Sequence, residues 1–81
     1  MQEVSVFDSH VSQLRMVEHN LRLARDYSEY ATHCKQLIDL TNADVYPEII
    51  KEYEKAFREY SEESKHYFKA YREALLKLYN S

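Results

Sequence analysis

The stretch YPEIIKEYEKAFREYSEESKHYFKAYREALLKLY, Tyr46 to Tyr79, decides the fold. Tyr46, Tyr53, Tyr60 and Tyr67 recur every seven residues, and Ile50, Phe57, Ser64, Tyr71 and Leu78 recur four residues behind them. Interleaved, the two rows step by four and three, which lays an apolar stripe along one face of an α-helix. The other face is polar: Lys51, Glu52, Lys55, Glu59, Glu62, Lys69 and Glu73. Glu54–Arg58, Lys55–Glu59, Lys69–Glu73 and Glu73–Lys77 stand four residues apart. As ion pairs each would add only a few tenths of a kcal/mol, so they mark a solvated face and no site.

The segment before this stretch reads as its companion. An apolar seam runs through Phe7, Val11, Leu14, Val17, Leu21, Ala24, Ala31 and Ile38, weakened where Ser28 and Lys35 fall on the same heptad line. A second line, Met16, Leu23, Tyr30 and Leu37, is also spaced by seven, with Tyr27 and Cys34 between the lines. Together they widen the apolar face to roughly 150°, at ~100° per residue. A helix that meets one neighbour needs less, so this width predicts two neighbours, as in a four-helix bundle. The plainer alternative is that Met16 and Leu23 are ordinary exposed apolar residues.

Between the two segments, Asp39 to Val45 is the candidate turn. Asn42 can adopt the left-handed conformation at a helix end, and Asp44 can cap the helix that follows. Thr41-x-x-Asp44 is a rival capping box, and Pro47 suits a first helical turn. At the N-terminus, Ser5-Val6-Phe7-Asp8 has the form of a capping box, with residues 1–5 frayed. The expected layout is one domain over 1–81: a helix over about 6–40, a turn over about 41–45 and a helix over about 46–79. A short turn between long helices makes them antiparallel neighbours.

Composition narrows the function. The chain has 81 residues, no glycine, one proline and one cysteine. Without glycine there is no Gly-rich phosphate cradle, and hairpin-rich β folds lose their usual turns. Cys34 cannot form a disulfide within the chain, which fits a reducing compartment. A domain this small buries too little apolar surface to be comfortable alone, so the expected stabiliser is a partner chain. Net charge is −3. Residues 1–44 hold four basic side chains (Arg15, Arg22, Arg25, Lys35) against seven acidic ones, and the remainder holds seven of each. Neither half is a basic footprint for nucleic acid, and Glu18, Asp26 and Glu29 interrupt the arginines. No apolar run approaches the ~18–20 residues of a membrane span. Met1-Gln2-Glu3-Val4-Ser5 lacks the basic start and apolar core of a signal peptide, so the expected location is cytoplasmic.

Catalytic constellations are thin. Glu63-Ser64-Lys65-His66 has the E-x-x-H spacing that carboxylate-bridged metal bundles use on facing helices. A hairpin turning near residue 43 sets position 63 opposite roughly position 23, where the inward residues are Leu21 and Ala24 and supply no ligand. A solvated Glu–His edge is the better reading. His33 and Cys34 are adjacent, and adjacent helical residues do not face each other. Two helices enclose no substrate pocket. The expectation is no enzyme, no cofactor, no metal and no small-molecule substrate.

Tyrosine on a helix seam is a compromise, since the ring buries well but the hydroxyl needs a partner or water. The Tyr-rich stripe suits either a thin core with hydroxyls reaching solvent or a protein-binding surface, where tyrosine is enriched. The outline is similar to the small Trp-x-Gly proteins carried by type VII secretion, which are helical hairpins that dimerise. The likeness stops there: this chain has neither Trp nor Gly, and no tyrosine has an acidic residue four positions on. The resulting expectation is an all-α helical hairpin that dimerises into a four-helix bundle. Its expected role is a non-catalytic protein–protein interaction module, a small regulator, inhibitor or adaptor acting on itself or on another protein. The alternatives are a purely structural assembly module and, more distantly, a carboxylate/His metal-binding bundle. The candidate contact residues are Met16, Leu23, Tyr30, Leu37, Tyr46, Tyr53, Tyr60, Tyr67 and Tyr71.

Overall fold

The structure, a computed structural model, describes residues 2–80, and their side chains from residue 9 onward. It is an all-α hairpin of two helices, α1 (Gln2–Leu40) and α2 (Pro47–Asn80). α1 begins at Gln2 and runs through Ser5–Asp8, so the helix does not start at about residue 6 as expected; the side chains of Ser5, Phe7 and Asp8 lie outside those described. The molecule is a rod of 66 × 16 × 14 Å. Among the described residues, no helix is long and apolar enough to cross a membrane.

The turn is built differently from expectation. Among the described residues, none has a positive φ, so Asn42 does not take the left-handed conformation. It acts through its side chain: Oδ1 accepts from the Asp44 amide at 2.9 Å, closing an Asx turn. Its carbonyl accepts from the Val45 and Tyr46 amides at 3.2 and 2.9 Å. Thr41 caps the end of α1, its amide donating to the Leu37 carbonyl at 3.0 Å and its hydroxyl to the same oxygen at 2.6 Å. The Tyr46 carbonyl accepts the Ile50 amide at 3.2 Å, so Tyr46 and not Asp44 stands at the start of α2. Pro47 then fills the first helical position, where its missing N–H costs nothing.

The seam of α2 follows the predicted rows. Ile50 and Ser64 are buried, Phe57, Tyr53, Tyr60, Tyr67, Tyr71 and Leu78 are half-buried, and Ala74 extends the tyrosine row into the core. The seam of α1 departs from expectation. Val17, Ala24 and Ala31 are buried on one heptad row, with Ile38 half-buried. Their companion row is Gln13, Asn20, Tyr27 and Cys34, half-buried except for buried Cys34. Leu14, expected in the seam, is 46 % exposed, and Ser28 and Lys35 on its line are exposed as well. The reason is rotational: at ~100° per residue, Leu14 stands about 80° from the centre of the packed rows, beyond the reach of one helix. The four ion pairs expected on α2 also do not close. Glu48 and Lys51 approach to 3.7 Å instead, at the exposed first turn. Holding long exposed side chains in one geometry gains little, so their opening leaves the helix unharmed.

The hairpin is thin, and small residues meet between its helices. Ala24 is 0 % exposed, and Ser64 lies across from it with its hydroxyl donating to the Ala24 carbonyl at 2.9 Å. Position 64 therefore faces position 24, which fixes the register of the two helices. Among the described residues, no large side chain is fully buried.

Candidate interaction surface

With this register, each helix presents two packed rows and one flanking line on either side. One flank runs along Met16, Leu23, Tyr30 and Leu37 of α1. Met16, Tyr30 and Leu37 are 55, 48 and 42 % exposed, and Leu23 is half-buried. On α2 the adjoining line is Ile49, Ala56, Glu63, Ala70 and Lys77, again spaced by seven. Met16 meets Ala70 and Lys77 across an open groove of about 240 Å³, which places the two lines on one side of the hairpin. Gln13 also lines this groove, and its Oε1 is buried without a hydrogen-bond partner among the described residues.

At mid-length the seam becomes aromatic. Tyr27 stacks on Tyr67 with centroids 5.7 Å apart and planes 2° from parallel. Tyr60 lies 6.0 Å from Tyr27 and 5.4 Å from Tyr30, and Tyr30 meets Tyr27 edge-on at 6.1 Å. His66 stands edge-on to Tyr67 at 5.1 Å. Such ring pairs each contribute roughly 0.5–1.5 kcal/mol beyond burial. Tyr30 is thus held by the seam on one edge while its outer face lies open.

The nine candidate contact residues divide accordingly. Tyr30, Tyr60 and Tyr67 come together with Tyr27 in this cluster. Met16, Leu23 and Leu37 extend from it along the α1 flank. Tyr53 and Tyr71 are half-buried in the α2 seam without a ring partner, and Tyr46 stands apart at the turn, 52 % exposed. Beside Tyr46 the turn exposes Leu40 at 84 % and Val45 at 58 %. Sequence reasoning missed Ile49, Ala56 and Ala70. The signal was there, a heptad line one residue before the Ile50 row, but alanine does not announce a contact surface.

The chemistry-bearing residues do not converge. Glu63 and His66 are both exposed, His66 against the edge of Tyr67. Among the described residues, no three His, Cys, Asp or Glu side chains are grouped to hold a metal ion. Cys34 is a buried free thiol and His33 beside it is exposed. What the arrangement offers is area: a long apolar flank with an aromatic centre, open on one side. Comparison with protein families, curated proteins and solved structures finds no match to this chain.

Proposed function

We propose that this chain is a non-catalytic protein–protein interaction module, a small helical regulator, inhibitor or adaptor, that works as a homodimer. Two hairpins close into a four-helix bundle, and the bundle acts on other proteins from the cytoplasm, where the Cys34 thiol stays reduced. The observation that carries the reading is the excess of surface on the single chain. Its accessible area is 6709 Å². A compact monomer of 9.8 kDa exposes roughly 5,200 Å² by the usual scaling with mass. The excess, about 1,500 Å², is more than the ~800 Å² that each partner gives to a standard interface. The exposed line of Met16, Tyr30 and Leu37 contributes apolar area to that excess, and among the described residues no large side chain is fully buried, which leaves the hairpin short of core.

Solution mass across a dilution series, with helicity followed by circular dichroism, tests this. The expected result is a particle of twice 9.8 kDa whose helicity falls as it dissociates. A monomer that remains fully helical at every concentration would overturn the homodimer.

A further inference from the structure

We propose that the two copies pair through the Met16–Leu37 flank with their turns at the same end, the two-fold axis running along the hairpin. The proposal rests on the homodimer reading and adds to it the face and the direction of pairing.

The flank is a row of large side chains beside a row that includes two alanines. Met16, Leu23, Tyr30 and Leu37 line α1; Ile49, Ala56, Glu63 and Ala70 line α2. The Ser64–Ala24 register sets Leu37 level with Ile49, Tyr30 with Ala56, Leu23 with Glu63 and Met16 with Ala70, each within about 3 Å along the axis.

Closed two-fold symmetry allows two ways to lay this face on its copy. With the axis across the hairpin, α1 covers the partner's α1. Met16 then meets the partner's Leu37 and Leu23 meets the partner's Tyr30, while Ala56 meets the partner's Glu63. On the α1 side large stands on large at every contact, which wedges that side apart from the α2 side, where Ala56 and Ala70 meet Glu63 and Ile49. With the axis along the hairpin, α1 covers the partner's α2. Tyr30 lies over the partner's Ala56, Met16 over the partner's Ala70 and Leu37 beside the partner's Ile49. Leu23 packs on the methylene stem of the partner's Glu63, whose carboxylate reaches water. Each contact occurs twice. Tyr30 over Ala56 and Met16 over Ala70 set the largest side chains of α1 on the smallest of α2, which favours dense packing, and the axis across the hairpin forms neither pair.

The opposite flank does not compete. Leu14, Leu21, Phe68 and Leu75 are apolar toward the open end, but Ser28, Lys35, Glu54 and Ser61 make it polar toward the turn. On the proposed face, the strip from Met16 to Leu37 is about 31 Å long at ~1.5 Å per residue. Across a hairpin 16 Å wide it outlines roughly 500 Å² per copy, so two copies reach the ~1,000 Å² that separates specific interfaces from incidental ones. Pairing in this direction sets the two turns side by side. Leu40, Val45 and Tyr46, all exposed, then form one doubled apolar end with Asp39, Asp44 and Glu48 around it.

The test is a distance. Ala43 is exposed in the turn, so Ala43→Cys holds a spin label clear of the seam, in a Cys34→Ala background that trims one buried thiol and leaves the helix its best former. Turns at one end predict a label separation below about 25 Å, whereas the axis across the hairpin predicts about 50 Å. The short distance supports the proposal. The long one overturns the direction while leaving the dimer standing, and a monomeric mass overturns the dimer itself. A volume swap checks the contact independently. Ala56→Tyr should weaken the dimer by about tenfold or more by overpacking against the partner's Tyr30. Adding Tyr30→Ala should recover most of that loss, and failure to recover it would count against this face.

Discussion

Ser64 Oγ donates to the carbonyl oxygen of Ala24 at 2.9 Å, forty residues away along the chain and buried between the helices. It is the one polar contact that crosses the seam among the described residues, and it sits where both helices offer small side chains. A larger residue at either position would hold the backbones apart and break the bond at once.

Two substitutions separate size from hydrogen bonding here. Ser64→Ala keeps the close approach and removes the donor, and the Ala24 carbonyl retains its helical partner. The expected loss is about 1 kcal/mol. Ala24→Leu inserts a branched chain where exposure is zero, with an expected loss of about 2–3 kcal/mol. Urea unfolding of the variants at one fixed protein concentration measures both, the fixed concentration being needed for any chain that self-associates. Equal losses would mean that the bond and not the spacing dominates.

The tyrosine cluster gives a second test. Tyr60 is half-buried between Tyr27 and Tyr30, and its hydroxyl makes no hydrogen bond within the described chain. Full burial of the stripe would put Tyr60→Ala at about 3 kcal/mol or more, and the half-buried ring lowers that to about 2 kcal/mol. Tyr60→Phe should stay within about 0.5 kcal/mol of the parent, since it loses no partner. A double-mutant cycle of Tyr60→Ala with Tyr27→Ala should show a coupling of about 0.5–1.5 kcal/mol from the ring contact. A large Tyr60→Phe effect would instead place the hydroxyl in an interface.

Much of this architecture is legible in the residues, and the illegible part has definite causes. In α2 each heptad offers one apolar arc and one charged arc, so Ile50, Ser64 and the tyrosines could fall on only one side. In α1 three lines compete. Leu14 and Leu21, the Val17–Ala24–Ala31 row, and Met16–Leu23–Tyr30–Leu37 are all apolar, whereas the row that packs beside Val17 contains Gln13 and Asn20. Hydrophobicity alone therefore favours the wrong companion row, and the choice is made by the aromatic rings of α2, which seat Tyr27 and draw its heptad line inward. The turn was readable as a turn, but its geometry was not. Asn42 serves such a site equally by a left-handed backbone or by its side chain, and only the structure distinguishes them. The α1 flank was visible as a heptad line; its α2 counterpart was not, because a surface made of Ala56 and Ala70 is defined by what those positions lack.

Gln13, like Asn20, is a polar intruder on that inner row. Its Oε1 is buried at the groove between α1 and α2 with no hydrogen-bond partner among the described residues. An acceptor withdrawn from water without a partner costs roughly 1–3 kcal/mol, although the rest of the side chain is half-exposed and its amide nitrogen can stay hydrated. Gln13→Met keeps the length and flexibility of the chain and replaces the amide with a thioether suited to an irregular apolar gap. The expected outcome is a gain of about 1 kcal/mol in unfolding free energy and no loss of helicity, read from denaturant curves at matched concentration. A loss of similar size would show that Gln13 Oε1 finds a donor in the assembled protein. Since the groove opens onto the flank that carries Met16, a loss confined to concentrations where the dimer forms would place that donor on the second copy.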